Sequence, residues 1–478
     1  MNQKFKKKLI SLLVCLTFLV GTLTGCTISN DSTSTASDTN DEVSELTDTK
    51  SNTRSNTEKE LNSLKAKYDQ NPDDTENTIQ YAQSFYKLAE FDQAKKVLKP
   101  LINAEEVSPE VLHLMADIEY ISGNYEQAEK YYTSLSSYSE YSEVAQYGLM
   151  MVYYQQNEYG KAKDLQIGEQ GQVFQSIMTA FNDEQPYQID WNGLQQAVIP
   201  FKFTDPLPVV PIEINSQEVN VIIDTGAAEF MIDDQLAAEL GVEPLVTDLE
   251  GVGGGGATND TISYGIIESI VLGGVTIKNI PVSIVSTDQY SGLYQEESFT
   301  ISGILGIKLM QQFLSTMNYP KGQLELHPRT KENGGIAADT QTEVLPFQFI
   351  DDHFMVSKLT VNEKKNLNFF FDSGLDDDGD LLLPAETLDY LDIPIPEVKT
   401  TNEIGGLGGS YSYGEFAVDS LELGTFQNNN LTGLYGIFPE VLYYEMMQLY
   451  VDGLISHDYL KQYKWTIDFD AMEMAFSK

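Results

Sequence analysis

VIIDTGAAEFMI (residues 221–232) and FFFDSGLDDDGDLLLP (residues 369–384) are built alike. Each is an apolar run of strand type that ends in an acidic triplet, Asp224-Thr225-Gly226 in the first and Asp372-Ser373-Gly374 in the second. No other Asp-Thr/Ser-Gly triplet occurs in the 478 residues. One carboxylate after an apolar run has no particular chemistry. Two from equivalent places can share a proton and activate a water molecule.

The stretches that follow the triplets also match. GILGIKLMQQFLSTMNYPKGQLEL starts at Gly303 and GLISHDYLKQYKWTIDFDAMEMAF at Gly453, and the two align without a gap. Each has an apolar pair after its glycine, then a helical segment, then two short strands joined by a turn. The distance from Asp to Gly is 79 residues in the first copy and 81 in the second. Between these landmarks, GVGGGGATNDTISYG precedes SIVLGGVTI, and EIGGLGGSYSYG precedes SLELGTF. Three matching features in one order make an internal duplication. The opening hairpins agree too, PVVPIEINSQEVNVIIDTG against FMVSKLTVNEKKNLNFFFDSG. Short β-type runs between Gly, Asn, Asp and Pro turns make the whole stretch mainly β. It divides into residues 200–335 and residues 336–478.

Upstream the chain has a different character. Phe91, Tyr125 and Tyr159 are spaced 34 residues apart, as are Ala94, Ala128 and Ala162, and Ala82, Ala116 and Met150. A 34-residue period with small and aromatic residues at fixed places resembles the tetratricopeptide repeat over residues 59–170, a stack of helical hairpins. Two uses are open to such a module. It offers a concave face to a peptide or protein partner, or it is a spacer whose aromatics are all core. Residues 171–199 read as a connector.

The N-terminus reads as a targeting segment. Lys4, Lys6, Lys7 and Lys8 precede the apolar LISLLVCLTFLVG and then Leu23-Thr24-Gly25-Cys26. This resembles a bacterial lipoprotein signal over residues 1–25. The resemblance implies that Cys26 is lipidated and that the protein is held on the extracytoplasmic face of the cell membrane without spanning it. Residues 26–58, rich in Ser, Thr, Asn and Asp, read as a disordered tether. Cys15 would leave with the signal and Cys26 would carry lipid, which excludes a disulfide, a cysteine nucleophile and a cysteine zinc site. With 29 basic against 72 acidic residues the net charge is −43, which argues against nucleic acid as a partner.

The order apolar-apolar-Asp-Thr/Ser-Gly, a Gly-rich hairpin and a later apolar-apolar-Gly resembles the aspartic peptidases over residues 200–478. Both copies keep a Gly-rich segment, so the likeness is to a fused pair of retropepsin-like lobes. The resemblance implies a bilobal fold with a catalytic dyad of Asp224 and Asp372 at the lobe interface, acting on a peptide or protein substrate from a single chain as a monomer. It implies that Thr225 and Ser373 bond across to the opposite lobe beside Gly226 and Gly374. Gly303-Ile304-Leu305-Gly306 and Gly453-Leu454-Ile455 would buttress the active-site loops. Gly253, Gly254, Gly255, Gly256 and Gly405, Gly406, Gly408, Gly409 would form two flaps over the cleft. No metal and no cofactor is called for. The second copy departs from the pattern twice, with Leu375 where a small residue is usual and Ser456 in the place of Gly306. A degenerate peptide- or protein-binding lipoprotein is therefore the competing expectation. The acidic run Asp376, Asp377, Asp378 and Asp380 lacks the spacing of a calcium loop and reads as a solvated loop beside the cleft. His113, His327, His353 and His457 form no metal motif.

Overall fold

A computed structural model describes residues 53–168, 171–181, 184–253, 256–294, 299–329, 342–350, 352–375, 379–406, 409–436 and 448–478. The signal segment, Cys26 and the tether as far as residue 52 lie outside the described residues.

The N-terminal part is helical: α1 (Arg54–Gln70), α2 (Thr75–Lys87), α3 (Phe91–Ile102), α4 (Pro109–Ile121), α5 (Tyr125–Leu135) and α6 (Ser142–Gln155). A short 3-10 turn, Tyr159–Asp164, stands where a third return helix would be. Side-chain caps start several of these helices: Asp74 accepts the Asn77 N–H, and Ser108 accepts the Val111 N–H with Pro109 at the first position. The 34-residue period is structural. Phe91, Tyr125 and Tyr159 each begin the second element of a hairpin, and the Ala82 and Ala94 sets are fully buried. The turns repeat as well, because Ala89, Gly123 and Asn157 all have positive φ, at 53°, 75° and 59°.

Two sequence boundaries need correction. The last tether residues are helical from Arg54, because Thr53 caps α1 and Arg54 is buried. Its guanidinium meets the Asp452 carboxylate at 2.7 and 2.5 Å. The connector is also structured. It contains α7 (Gln172–Ala180), which buries Phe174, Ile177 and Met178 in the helical core, and strands β1 (Gln188–Asp190) and β2 (Ala197–Pro200). Trp191 packs edge-on against Phe313 at 5.7 Å.

The first lobe contains β3 (Val209–Ile214), β4 (Gln217–Ile223), β5 (Phe230–Asp233), β6 (Val246–Gly253), β7 (Gly256–Leu272), β8 (Val275–Val285), β9 (Gly303–Leu305), β10 (Phe313–Asn318) and β11 (Gln323–Pro328). The second repeats the order with β12 (Thr342–Pro346), β13 (Gln348–Ile350), β14 (Phe354–Val361), β15 (Lys364–Phe371), β16 (Leu381–Leu382), β17 (Lys399–Gly406), β18 (Gly409–Leu423), β19 (Phe426–Tyr435), β20 (Gly453–Ile455), β21 (Lys464–Asp468) and β22 (Glu473–Ser477).

Among the described residues these strands form three sheets. Two eight-stranded sheets, β1-β8-β5-β9-β4-β3-β7-β6 and β13-β14-β15-β20-β16-β19-β18-β17, each close on themselves through an extra pairing, β7 with β8 and β14 with β18. A six-stranded sheet, β12-β22-β21-β10-β11-β2, joins the lobes through β10 and β21, with Met317 opposite Trp465. In each lobe the strand before the triplet lies parallel to the later apolar-apolar strand, with Ile223 beside Leu305 and Phe371 beside Ile455.

Strand alternation decides what packs where. Phe369 and Phe371 of β15 enter the large core shared by the lobes, while Phe370 points to the other face. On that outer face Phe370, Leu382, Leu434 and Leu454 join the hydrophobic core of the helical part. Each gains roughly 1.5–3 kcal/mol from being covered. The first lobe covers the matching Val209 and Ile222 with its own Tyr294 and Ile301.

Candidate active site

Asp224 and Asp372 sit just beyond the ends of β4 and β15. Parallel pairing holds both ends, since the Asp224 N–H donates to the Leu305 carbonyl at 3.1 Å and the Asp372 N–H to the Ile455 carbonyl at 2.9 Å. The two triplets meet across the lobe boundary. The Thr225 N–H donates to the Ser373 hydroxyl at 3.1 Å and the Ser373 N–H to the Thr225 hydroxyl at 3.0 Å. Each hydroxyl then donates to the carbonyl before the opposite aspartate, Thr225 to Phe371 at 2.9 Å and Ser373 to Ile223 at 3.0 Å. All four groups are buried and every one is satisfied.

The glycines fix the spacing of the carboxylates. The Gly226 N–H donates to Asp224 Oδ1 at 2.7 Å and the Gly374 N–H to Asp372 Oδ1 at 2.8 Å. A Cβ on Gly226 would lie 2.6 Å from Asp372 Oδ2, and one on Gly374 would lie 2.1 Å from the Asp224 Cγ. Any side chain at either position would push the aspartates apart. Burial raises the Asp224 carboxyl above the ordinary carboxylate value, against hydrogen bonds from the Gly226 N–H and from Asp372 and the field of His353. Two carboxyl groups in hydrogen-bonding contact in such a place hold a proton between them.

The buttress segments lie behind the triplets. A Cβ on Gly306 would sit 2.1 Å from the Glu229 carbonyl oxygen, so that position admits only glycine. Ile307 and Lys308 donate their N–H groups to the Ala227 and Ala228 carbonyls at 2.8 and 2.9 Å. In the second lobe the His457 N–H donates to the Leu375 carbonyl at 3.0 Å, the same bond, even though Ser456 replaces the glycine. Met231 pairs with Ile304 and Leu382 with Leu454, so the second loop between triplet and strand is three residues longer. The Ser456 hydroxyl donates to the Gly379 carbonyl at 2.5 Å. Leu375 is explained by the helices, because its buried side chain belongs to their core.

The described glycines of the two Gly-rich segments fall at hairpin ends. Gly253 pairs with Gly256 and Gly406 with Gly409, and Gly405 is next to the second tip. Gly254, Gly255 and Gly408 lie outside the described residues, as do Asp376, Asp377 and Asp378. Asp380 is part of the framework and accepts the Thr432 N–H at 2.9 Å. His457 is packed behind the site, its Nε2 at 2.7 Å from the Thr204 carbonyl oxygen, and burial lowers its pKa to about 4.

Sequence reasoning missed a second group of polar residues near the dyad. Glu229, five positions after Asp224, is buried and accepts the Tyr154 hydroxyl of α6 at 3.3 Å. Burial, with Asp352 adding to it, raises the Glu229 carboxyl to about 7. Lys308 donates to the Tyr154 and Gln155 carbonyls at 2.8 and 3.2 Å, and burial lowers its ammonium to about 7. Gln155 Nε2 donates to the Asp352 carbonyl of the second lobe at 2.9 Å, and the Asp352 carboxylate contacts the His353 ring. A polar Lys308 inside the apolar run GILGIKLM was the signal available for this group.

Residues 210–309 match the family model described as Aspartyl protease, a span that holds the Asp224 triplet and the Gly303–Gly306 segment. The chain therefore carries an aspartic-peptidase domain. Among solved structures, a retropepsin-like aspartic protease from Rickettsia conorii is similar at 16% identity over 28% of this chain and 91% of that one, with a TM-score of 0.20. No curated protein matches the chain.

Proposed function

We propose that the chain is an aspartic endopeptidase whose dyad is completed within one polypeptide by Asp224 and Asp372. The observation that carries this reading is the contact between the two carboxyl groups, locked by reciprocal Thr225–Ser373 hydrogen bonds. The ionised member takes a proton from a water held between the carboxyls. The water oxygen attacks the scissile carbonyl carbon while the protonated member donates to the carbonyl oxygen. Collapse of the tetrahedral adduct breaks the C–N bond, and the nitrogen leaves as an amine with the proton taken from water. The glycine-tipped hairpins suit a role as flaps that open to admit a peptide and close to exclude water.

The finer parts of the reading rest on sequence. The 34-residue register of buried positions supports tetratricopeptide-type hairpins in α2 to α6, and Leu23-Thr24-Gly25-Cys26 supports a lipid anchor on the outer face of the membrane.

The test is cleavage of a mixed peptide library across pH. Asp224→Asn and Asp372→Asn should each lower the rate by about 10²–10⁴-fold, and a statine-type transition-state mimic should block the parent protein. Mixing the two variants should restore nothing, since the dyad lies within one chain. A folded protein that retains peptides but cuts none would instead be a binding protein.

A further inference from the structure

The helical module does more than cover the second lobe. Tyr154 and Gln155, at the end of α6, reach both banks of the cleft. The Tyr154 hydroxyl donates to Glu229 on the first lobe, and the Gln155 amide donates to the Asp352 carbonyl on the second. Lys308, fully buried, ties the same two residues to the first lobe by their carbonyls. The contact extends upward to the flap. Tyr264, at the base of the first flap opposite Val246, feels the charges of both Glu229 and Asp352 and packs against the helical core. Helix α7 touches β6, the other strand of that flap. The first lobe, the second lobe and the base of the first flap therefore all meet the helical part, the lobes through the end of α6 and the flap strand β6 through α7.

Distance sets the consequence. Glu229 is five residues from Asp224, and five residues of extended chain span at most about 17 Å. A substrate bound as a strand advances roughly 3.3 Å per residue. The wall thus stands no more than about five substrate residues from the dyad.

We infer that the helical module closes one end of the substrate cleft, so that the enzyme takes the free terminus of an unfolded peptide and cuts within about five residues of it. This rests on the peptidase reading and adds the substrate class: chain ends, always the same end, in place of internal loops. Tyr154 and Glu229 are positioning residues of that end wall.

The experiment uses the full protein with long unstructured peptides and with one of them closed head to tail, the products being mapped by mass spectrometry. The expected result is that every linear peptide is cut near the same terminus and the cyclic form is not cut. Cut sites spread along the linear peptides, or equal cleavage of the cyclic form, would overturn the closed end and leave the peptidase standing. Cleavage of neither form would overturn the peptidase reading together with this one. Tyr154→Leu keeps apolar bulk in the helical core and withdraws the ring tip from Glu229. It should move the cut sites inward and make the cyclic peptide a substrate. If that variant fails to fold, the map on the unaltered protein still decides.

Discussion

Thr225 and Ser373 are reciprocal hydrogen-bond partners: each hydroxyl accepts the other's backbone N–H, and each donates to the carbonyl of the residue just before the opposite aspartate. The lobes are joined at the point where the chemistry takes place. Separating the lobes at this point would break four buried hydrogen bonds.

Thr225→Val keeps the shape of the side chain and removes its hydroxyl. The Ser373 N–H and the Phe371 carbonyl would then be buried without that partner, at a cost of about 1–3 kcal/mol for each group left unsatisfied. The expected outcome is a loss of stability in urea unfolding together with a fall in kcat. A variant that loses stability while keeping full kcat would mean that the network does not align the dyad.

The dyad makes opposite demands on stability and activity. Burial raises the Asp224 carboxyl, so the folded state favours the protonated form. That contribution to stability is complete below the unfolded value of about 4 and is lost as pH rises through the folded value. Asp224→Asn should therefore be inactive and yet more resistant to unfolding than the parent at pH 7. The parent's activity should peak at acidic to near-neutral pH and decline once the shared proton is lost. A rate still climbing above about pH 8 would contradict a carboxyl pair.

Glu229 and Lys308 predict a dip in stability near neutral pH. Glu229 is raised to about 7, so its stabilisation is present below its ordinary value and disappears as pH climbs to 7. Lys308 is lowered to about 7, so the folded state favours the neutral amine, and stability returns as pH rises from 7 toward the ordinary lysine value. Melting temperature against pH should show both limbs. Glu229→Gln should remove the acid-side fall and Lys308→Met the alkaline-side rise.

Ala89 occupies the turn position that Gly123 and Asn157 fill in the other hairpins, and it holds φ at 53° with a side chain. An L-residue in that region costs about 1–2 kcal/mol, partly offset in a glycine variant by the larger entropy of the unfolded chain. Ala89→Gly should stabilise the protein by about 0.5–1 kcal/mol in denaturant unfolding, with no change in cleavage-site preference.

What could be read in the sequence follows from how local each signal is. The triplets, the glycine-tipped hairpins and the 34-residue helical period are patterns within a few dozen residues, and side-chain periodicity exposes them. The duplication was visible because both copies repeat such patterns in one order. The end wall was not visible. Tyr154, Glu229, Lys308 and Asp352 are brought together by packing between parts of the chain far apart in sequence; Tyr154 follows Tyr86 and Tyr120 in the 34-residue period, but that period gives no sign of its partners on the lobes. Leu375 and Ser456 looked like decay of the second copy when judged against the pattern alone. In the structure Leu375 is covered by helices, and the Ser456 hydroxyl is buried and bonded to the Gly379 carbonyl. Arg54 was assigned to the tether on composition, and only its partner Asp452, nearly four hundred positions later, shows why it is buried.

The two lobes lie in one chain and share a sheet through the pairing of β10 with β21. In a symmetric pair of identical chains, every substitution appears at two places, so a residue that improved one side of the cleft would be forced on the other. Here the two sides are free to differ. The second lobe has given its outer sheet face to the helices, while the first lobe covers the same face with its own loop. Left and right are thereby distinguishable to a bound peptide, which has a direction of its own, and polarity of substrate recognition becomes available to a fold whose halves began as copies.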